Sequence, residues 1–244
     1  MKTSARSLSV VAALVLAAFV SGCASAPGAA PTHQPSTPDG QSSKISPEDA
    51  PRAAWLDASS FVIATRGDGC APEISDLVTG EQRIEVTLTA PAEGACADSE
   101  TSSTIHGTYL GVPAGLDSSK PLTIAVTQHG GEASLIELPG LPQGEIAPAD
   151  RTPPQLPAAA WIGEGVLAVL TWGSSTCVPE SGAVEGSVLT LDEPKDGVCT
   201  MDLVPRITFV DAPDVAPDAA LTLAGYTGED GEPIVLALVP RAER

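Results

Sequence analysis

Five cysteines, three histidines and 31 carboxylates are the groups in this 244-residue chain that could do chemistry, and the cysteines have the most informative spacing. Cys70, Cys96, Cys177 and Cys199 show no Cys-x-x-Cys pair of the kind that zinc sites and dithiol redox centres use. Cys23 stands apart from them. It follows Lys2, Arg6 and an uncharged apolar run over residues 8–20, which is too short to cross a bilayer as a permanent helix. Such a segment reads as a secretion address that is removed. In an exported chain the four remaining cysteines, an even number, read as disulfides.

The histidines have little company. His33 falls in a Pro-rich stretch, His106 in or beside a strand and His129 in a hairpin turn, and none of them recurs in the internal repeat described below. The chain has no HExxH, GxSxG, SxxK or Walker A pattern and no twelve-residue calcium loop, so no metal and no cofactor is expected. Asp211, Asp214 and Asp218 lie in a Pro-rich segment that reads as a solvated loop. Gly163-Glu-Gly165-Val-Leu-Ala168 meets a loose dinucleotide fingerprint but precedes an apolar strand instead of following one into a helix. Arg66-Gly67-Asp68, which resembles an integrin-binding tripeptide, stands close to Cys70 and reads as a structural turn.

Val20-Ser21-Gly22-Cys23 resembles the lipobox of bacterial lipoproteins. The resemblance covers the first 23 residues only. It implies that Cys23 is acylated, becomes the mature N-terminus and holds the protein to the outer face of the cell membrane, where two or more acyl chains give stable anchoring. An ordinary signal peptide cut after Ala24 or Ala26 is the alternative. The segment Gly173-Ser-Ser-Thr-Cys177-Val-Pro179 resembles an element of uncharacterised actinobacterial secreted proteins and lipoproteins, a resemblance that brings no activity with it.

Removing residues 1–22 takes away two of 12 basic residues and none of the 31 acidic ones, which leaves a formal charge of −21. That sign repels phosphate backbones and anionic lipid, so nucleic acid is not an expected partner and the acyl group alone must supply membrane attachment. Residues 23–50 comprise the lipidated cysteine and a disordered tether rich in Pro, Ser and Ala, with Pro27, Pro31, Pro35, Pro38 and Pro47 and almost nothing to bury.

The remainder repeats itself. Pro51-Arg-Ala-Ala-Trp55 returns as Pro157-Ala-Ala-Ala-Trp161, and Thr65-Arg-Gly67 before Cys70-Ala-Pro72 returns as Thr171-Trp-Gly173 before Cys177-Val-Pro179. Pro91-Ala-Glu-Gly-Ala-Cys96 matches Pro194-Lys-Asp-Gly-Val-Cys199, and Leu122-Thr-Ile-Ala125 matches Leu221-Thr-Leu-Ala224. These matches predict two homologous modules, 51–140 and 157–244, joined by a Pro-rich linker over 141–156. Each should carry its own disulfide, Cys70–Cys96 and Cys177–Cys199, which would stabilise a module of this size by roughly 3–4 kcal/mol.

Arg83-Ile-Glu-Val-Thr-Leu-Thr89 alternates with period two, as a half-buried strand does, and residues 122–138 and 221–239 each read as a hairpin. Phe61 to Thr65 and Val166 to Trp172 are continuously apolar and should sit centrally in their sheets. The expected fold is all-β: two small sandwich-like or barrel-like modules of about five strands each. Trp55 and Trp161 read as core plugs. Arg66, Trp172, His106 and His129 have no counterpart of their own type in the other copy and are the candidate contact surface.

The function these features support is a non-catalytic cell-envelope lipoprotein that binds an envelope ligand or protein outside the membrane. Two alternatives belong to other classes. An extracytoplasmic enzyme or enzyme accessory would gather Arg66, His106, His129 and Trp172 at a cleft between the modules. A docking inhibitor or sensor would show an exposed apolar patch on one module.

Overall fold

A computed structural model describes residues 49–67, 70–91, 104–128, 130–142, 155–194 and 198–239. All of them belong to one compact unit, Lys44–Arg244. They form fourteen strands and no helix: β1 (Arg52–Asp57), β2 (Ser60–Gly67), β3 (Glu73–Gly80), β4 (Arg83–Thr89), β5 (Thr104–Gly111), β6 (Leu122–Gln128), β7 (Ser134–Leu138), β8 (Ala158–Gly163), β9 (Val166–Gly173), β10 (Gly182–Glu185), β11 (Val188–Leu191), β12 (Val204–Asp211), β13 (Ala220–Thr227) and β14 (Pro233–Ala237).

The fold is all-β, as the alternating and apolar runs imply. Each half contributes seven strands, where about five were expected. The additional ones are β1 and β8, which contain the Trp motifs, and β3 and β10, which occupy the stretch after the first cysteine of each pair. The β1–β2 and β8–β9 connections are two-residue turns, with Gly163 paired to Val166 around Glu164 and Gly165. Gly165 has φ 65°, so the glycine-rich stretch there serves a tight hairpin and not a phosphate loop.

Strand order repeats between the halves. In the first, β1-β2-β5 makes a three-stranded sheet and β3-β4-β6-β7 a four-stranded one; in the second, β8-β9-β12 and β10-β11-β13-β14 have the same orders. Pairing sense repeats too, since β4–β6 and β11–β13 are parallel within otherwise antiparallel sheets. The two continuously apolar strands, β2 and β9, are the middle strands of the three-stranded sheets.

Period-two alternation sorts these side chains onto two faces. Trp55, Phe61 and Ile63 face the four-stranded sheet of their own half, packing with Ile84, Val86, Leu88 and Ile124. Trp161, Leu167 and Val169 do the same in the second half with Leu189, Leu221 and Leu223. The intervening residues, Ala54, Leu56, Val62 and Ala64, pack against Ala160, Ile162, Ala168 and Leu170 in a third core. The four sheets therefore stack as layers, with both three-stranded sheets in the middle. Burial on both faces is why β2 and β9 read as unbroken apolar runs.

Both tryptophans are core residues whose indole nitrogens stay satisfied: Trp55 Nε1 donates to Pro139 O at 2.6 Å and Trp161 Nε1 to Pro217 O at 2.9 Å. Equivalent strands meet across the third core, β1 against β8 and β5 against β12. The meeting is close enough that a Cβ on Gly107 would lie 2.3 Å from Ile207 Cγ2. Register makes these two positions counterparts, because Gly107 pairs with Ala64 and Ile207 with Leu170. A glycine on one side is what admits an isoleucine on the other.

Candidate functional site

Arg206 is the residue from which the second half's most elaborate polar arrangement is built. It lies on β12 opposite Thr171 and is buried, with its guanidinium packed flat over Gly173, where a Cβ would fall 2.6 Å from Cζ. Nη1 donates to Cys177 O at 2.7 Å, and Nη2 donates to the Tyr226 hydroxyl at 3.0 Å and to Glu193 Oε1 at 3.4 Å. Tyr226 in turn donates to Glu193 at 2.5 Å, and burial followed by that carboxylate pushes the phenol pKa up. Two residues further along the strand, the buried Thr208 donates to Pro179 O at 3.1 Å. The strand thus holds the segment from Cys177 to Pro179 down onto the fold.

That segment holds a loop above it. Cys177 is bonded to Cys199, the predicted pair for this half. Thr176 Oγ1 donates to Val198 O at 3.3 Å and accepts from Thr200 N at 3.1 Å, while the Ser174 and Thr200 hydroxyls lie 2.8 Å apart. Thr200 Oγ1 donates to Asp202, whose carboxylate also accepts from Ser175 N at 3.1 Å. Hydrogen bonds from Ser175 and Thr200 lower the Asp202 pKa to about 2. Met201 stands at a bend between these two fixed residues. The Gly-Ser-Ser-Thr-Cys-Val-Pro element is therefore the prop beneath residues 198–203.

The apolar side chains of this loop stand in solvent. Met201 is 104% exposed, Val198 94% and Leu203 56%. These are the extreme values among the exposed large apolar residues with the exception of Leu203, which ranks with Leu135, Leu156 and Val235. Apolar exposure is not confined to this half, because Ile74, Leu77 and Val78 on the sheet-edge strand β3 are 40–51% exposed. The difference is local structure: β3 is an edge strand of a sheet, whereas residues 198–203 have no regular structure and lead into β12.

The first half has other residues at the corresponding places. His106 pairs with Thr65 as Arg206 pairs with Thr171, and His106 lies 3.8 Å from a Cβ built on Gly67. Burial lowers the His106 pKa, opposed by a hydrogen bond with the Gly67 backbone, and its Nε2 has no partner among the described residues. Sequence equivalence puts Thr127 where Tyr226 stands and Ala90 where Glu193 stands, and Cys96 is followed by Ala97-Asp98 in place of Thr200-Met201. Apart from the paired cysteines, Arg206, Tyr226, Glu193 and Thr200 have no like counterpart in the first half.

Arg66 and Trp172 are also counterparts, and they sit at opposite ends of the seam between the halves. Arg66, 4.0 Å from Asp49, lines a small cleft with Arg52, Ala64 and Ile105 from the first half and Ile162 and Val166 from the second. The cleft holds about 60 Å³. At the other end of β9, Trp172 fills the corresponding space and meets Tyr109 edge-on, with ring centroids 5.6 Å apart. His106 faces away from the seam, toward the core of its own half, as its partner Thr65 does from the same face of β2 as Phe61 and Ile63. The candidate contact residues are therefore not gathered in one place.

His129, Cys96 and Cys23 lie outside the described residues. Cys70 is disulfide-bonded, and its partner also lies outside them. Among the described residues no group of three His, Cys, Asp or Glu side chains converges as a metal site.

The residues that sequence reasoning passed over are Val198, Thr200, Met201, Asp202 and Leu203. One signal was available: Met201 is the chain's only methionine besides Met1, placed two residues after a cysteine and between a hydroxyl and a carboxylate. Comparison with protein-family models, with curated proteins and with solved structures found no match to this chain.

Proposed function

We propose that this protein is an extracytoplasmic docking protein, anchored to the membrane through acylated Cys23 and presenting residues 198–203 to a partner protein. The observation that carries the reading is Met201, fully exposed at a bend in a segment tied down by a disulfide, four hydroxyls and a carboxylate. A solvent-exposed methionine adds nothing to folding, and fixing its backbone costs conformational entropy. Such an arrangement supports binding, where a loop that is already ordered loses less freedom on association.

The tether of residues 24–50 would let the folded part stand roughly 30 Å from the lipid as a coil and up to about 80 Å when extended. The enzyme alternative requires Arg66, His106, His129 and Trp172 to converge; His129 lies outside the described residues, and the placement of the other three at two ends of a seam and on its far side gives it no support.

A photoreactive amino acid at position 201 tests the docking reading in intact cells. The expected result is a discrete covalent adduct with one envelope or secreted protein, absent when the same group replaces Glu137 on β7. Crosslinking that is equal at both positions, or absent at both, overturns it. Cys23→Ser should move the folded chain from the membrane fraction to the soluble one.

A further inference from the structure

Five basic residues belong to the described part of the chain, and four of them have a carboxylate within 4.0 Å: Arg66 with Asp49, Arg83 with Glu85, Lys120 with Asp117 and Arg206 with Glu193. Arg52 has none among the described residues, although acids outnumber bases by 31 to 12 in this chain. Its guanidinium reaches across the seam between the halves and rests on Gly163 at the β8–β9 turn, where a Cβ would lie 2.7 Å from Nη1. Arg52 pairs with Ala64, two residues before Arg66, so both arginines stand on one face of their sheet. With Ile105, Ile162 and Val166 they line the cleft of about 60 Å³ at this end of the seam.

The duplication shows what is particular to this end. At the other end the equivalents of Arg52, Arg66 and Gly163 are Ala158, Trp172 and Asp57. There an indole meets Tyr109 and no arginine is present. An aspartate at position 163, as at 57, would set a carboxylate against the Arg52 guanidinium and neutralise it. Glycine instead leaves that guanidinium beside an opening whose lining is otherwise largely apolar.

A planar guanidinium takes both oxygens of a carboxylate at once. The cleft is far smaller than the roughly 300–1,000 Å³ of pockets that enclose drug-sized ligands, so it has room for a head group and a short chain. Further carboxylates stand close to the lining residues: Asp49 beside Arg66, Glu164 directly after Gly163, and Asp211 paired with Val166. Their charge favours a ligand with one negative charge over a dianion such as phosphate.

We propose that this end of the seam binds a short-chain aliphatic monocarboxylate, with Arg52 pairing its carboxylate, Arg66 adding positive charge at the cleft, and Ala64, Ile105, Ile162 and Val166 covering its hydrocarbon part. The site uses residues of both halves and none of residues 198–203. It is therefore independent of the docking reading above.

The experiment titrates sodium propionate, sodium acetate and sodium phosphate, at matched ionic strength, into the ¹⁵N-labelled full chain with its disulfides intact, and follows backbone amide and arginine Nε–H resonances. Propionate should give saturable shifts confined to the surroundings of Arg52, Arg66 and Gly163, with a Kd of about 1 mM, which is within what so few atoms can supply. Acetate should bind about 4-fold more weakly for the one methylene it lacks. Arg52→Ala, at an exposed position on an edge strand, should leave the urea midpoint unchanged and weaken propionate binding about 10- to 100-fold. Gly163→Asp keeps both arginines, supplies the carboxylate found at the other end of the seam, and should weaken binding to a similar degree.

Shifts that do not saturate, phosphate binding as tightly as propionate, acetate binding as tightly as propionate, or binding indifferent to Arg52→Ala would each overturn the proposal. The crosslinking test at position 201 is unaffected by any of these results, so the two readings fail separately.

Discussion

Gly107→Ala is the perturbation that most sharply tests how the two halves meet. On an exposed strand the change would be expected to stabilise, because alanine loses less backbone entropy on folding and Gly107 does not have a positive φ. Here the added Cβ would lie 2.3 Å from Ile207 Cγ2 and 2.5 Å from Ile207 Cβ, where ordinary contact begins at 3.4 Å. Relief requires the two middle sheets to separate by about 1 Å at that point, and separation loosens the third core along Ala54, Val62, Ala168 and Leu170.

Overpacking of this kind costs about 1–3 kcal/mol, which for a folded unit of this size lowers Tm by roughly 2–12 °C. Ile207→Ala on its own, at a half-buried position, should cost about 1–3 kcal/mol. Combining the two removes the clash, so the double variant should be more stable than the sum of the singles implies by about 1–2 kcal/mol. Urea unfolding of the four proteins measures this coupling. A neutral or stabilising Gly107→Ala, or strict additivity, would refute the packing of the seam.

Two further predictions concern protons. Burial lowers the His106 pKa in the folded state below its ordinary 6.5, so between those two values the unfolded chain binds more protons than the folded one. Stability should therefore fall as pH drops below about 6.5 and level off once the folded pKa is passed; His106→Asn should flatten that part of the profile in urea midpoints taken from pH 7 to 5. Asp202 acts in the same sense at lower pH, since its lowered pKa makes the carboxylate network available above the unfolded value and loses it as pH falls through about 2. Its carboxyl carbon resonance should titrate near pH 2, and Thr200→Val should move the midpoint toward 3.8 by removing one donor. An unmoved midpoint would mean that the Thr200 hydroxyl does not hold the carboxylate.

Much of the scaffold was legible because alternation and duplication are properties of single segments. The hairpin at residues 122–138 reads directly from two apolar runs around Gly130 and Gly131, and the central placement of β2 and β9 follows from their unbroken apolar character. The Trp motifs were harder. Ala53-Ala54 and Ala158-Ala159-Ala160 have little strand propensity of their own, and they are strands because small side chains let the two middle sheets approach. β3 was hidden for a related reason. Its residues are exposed throughout, so no buried face imposed a period on Glu73 to Gly80.

The site was less legible than the fold. Arg66, Trp172 and His106 stood out as unmatched residues, but lack of a counterpart does not bring residues together, and each answers a different local packing need. The 198–203 loop depends on contacts between segments about 25 residues apart, Ser174 to Thr176 with Val198 to Asp202, and on a buried arginine beneath them. Hydroxyl-rich stretches of that sort read as ordinary loop until the disulfide register places one over the other.

The most direct test of the account is crosslinking in intact cells from a photoreactive amino acid placed at position 201. The docking reading predicts a discrete covalent adduct with one envelope or secreted protein, absent when the same group replaces Glu137; equal crosslinking from both positions, or none from either, would contradict it.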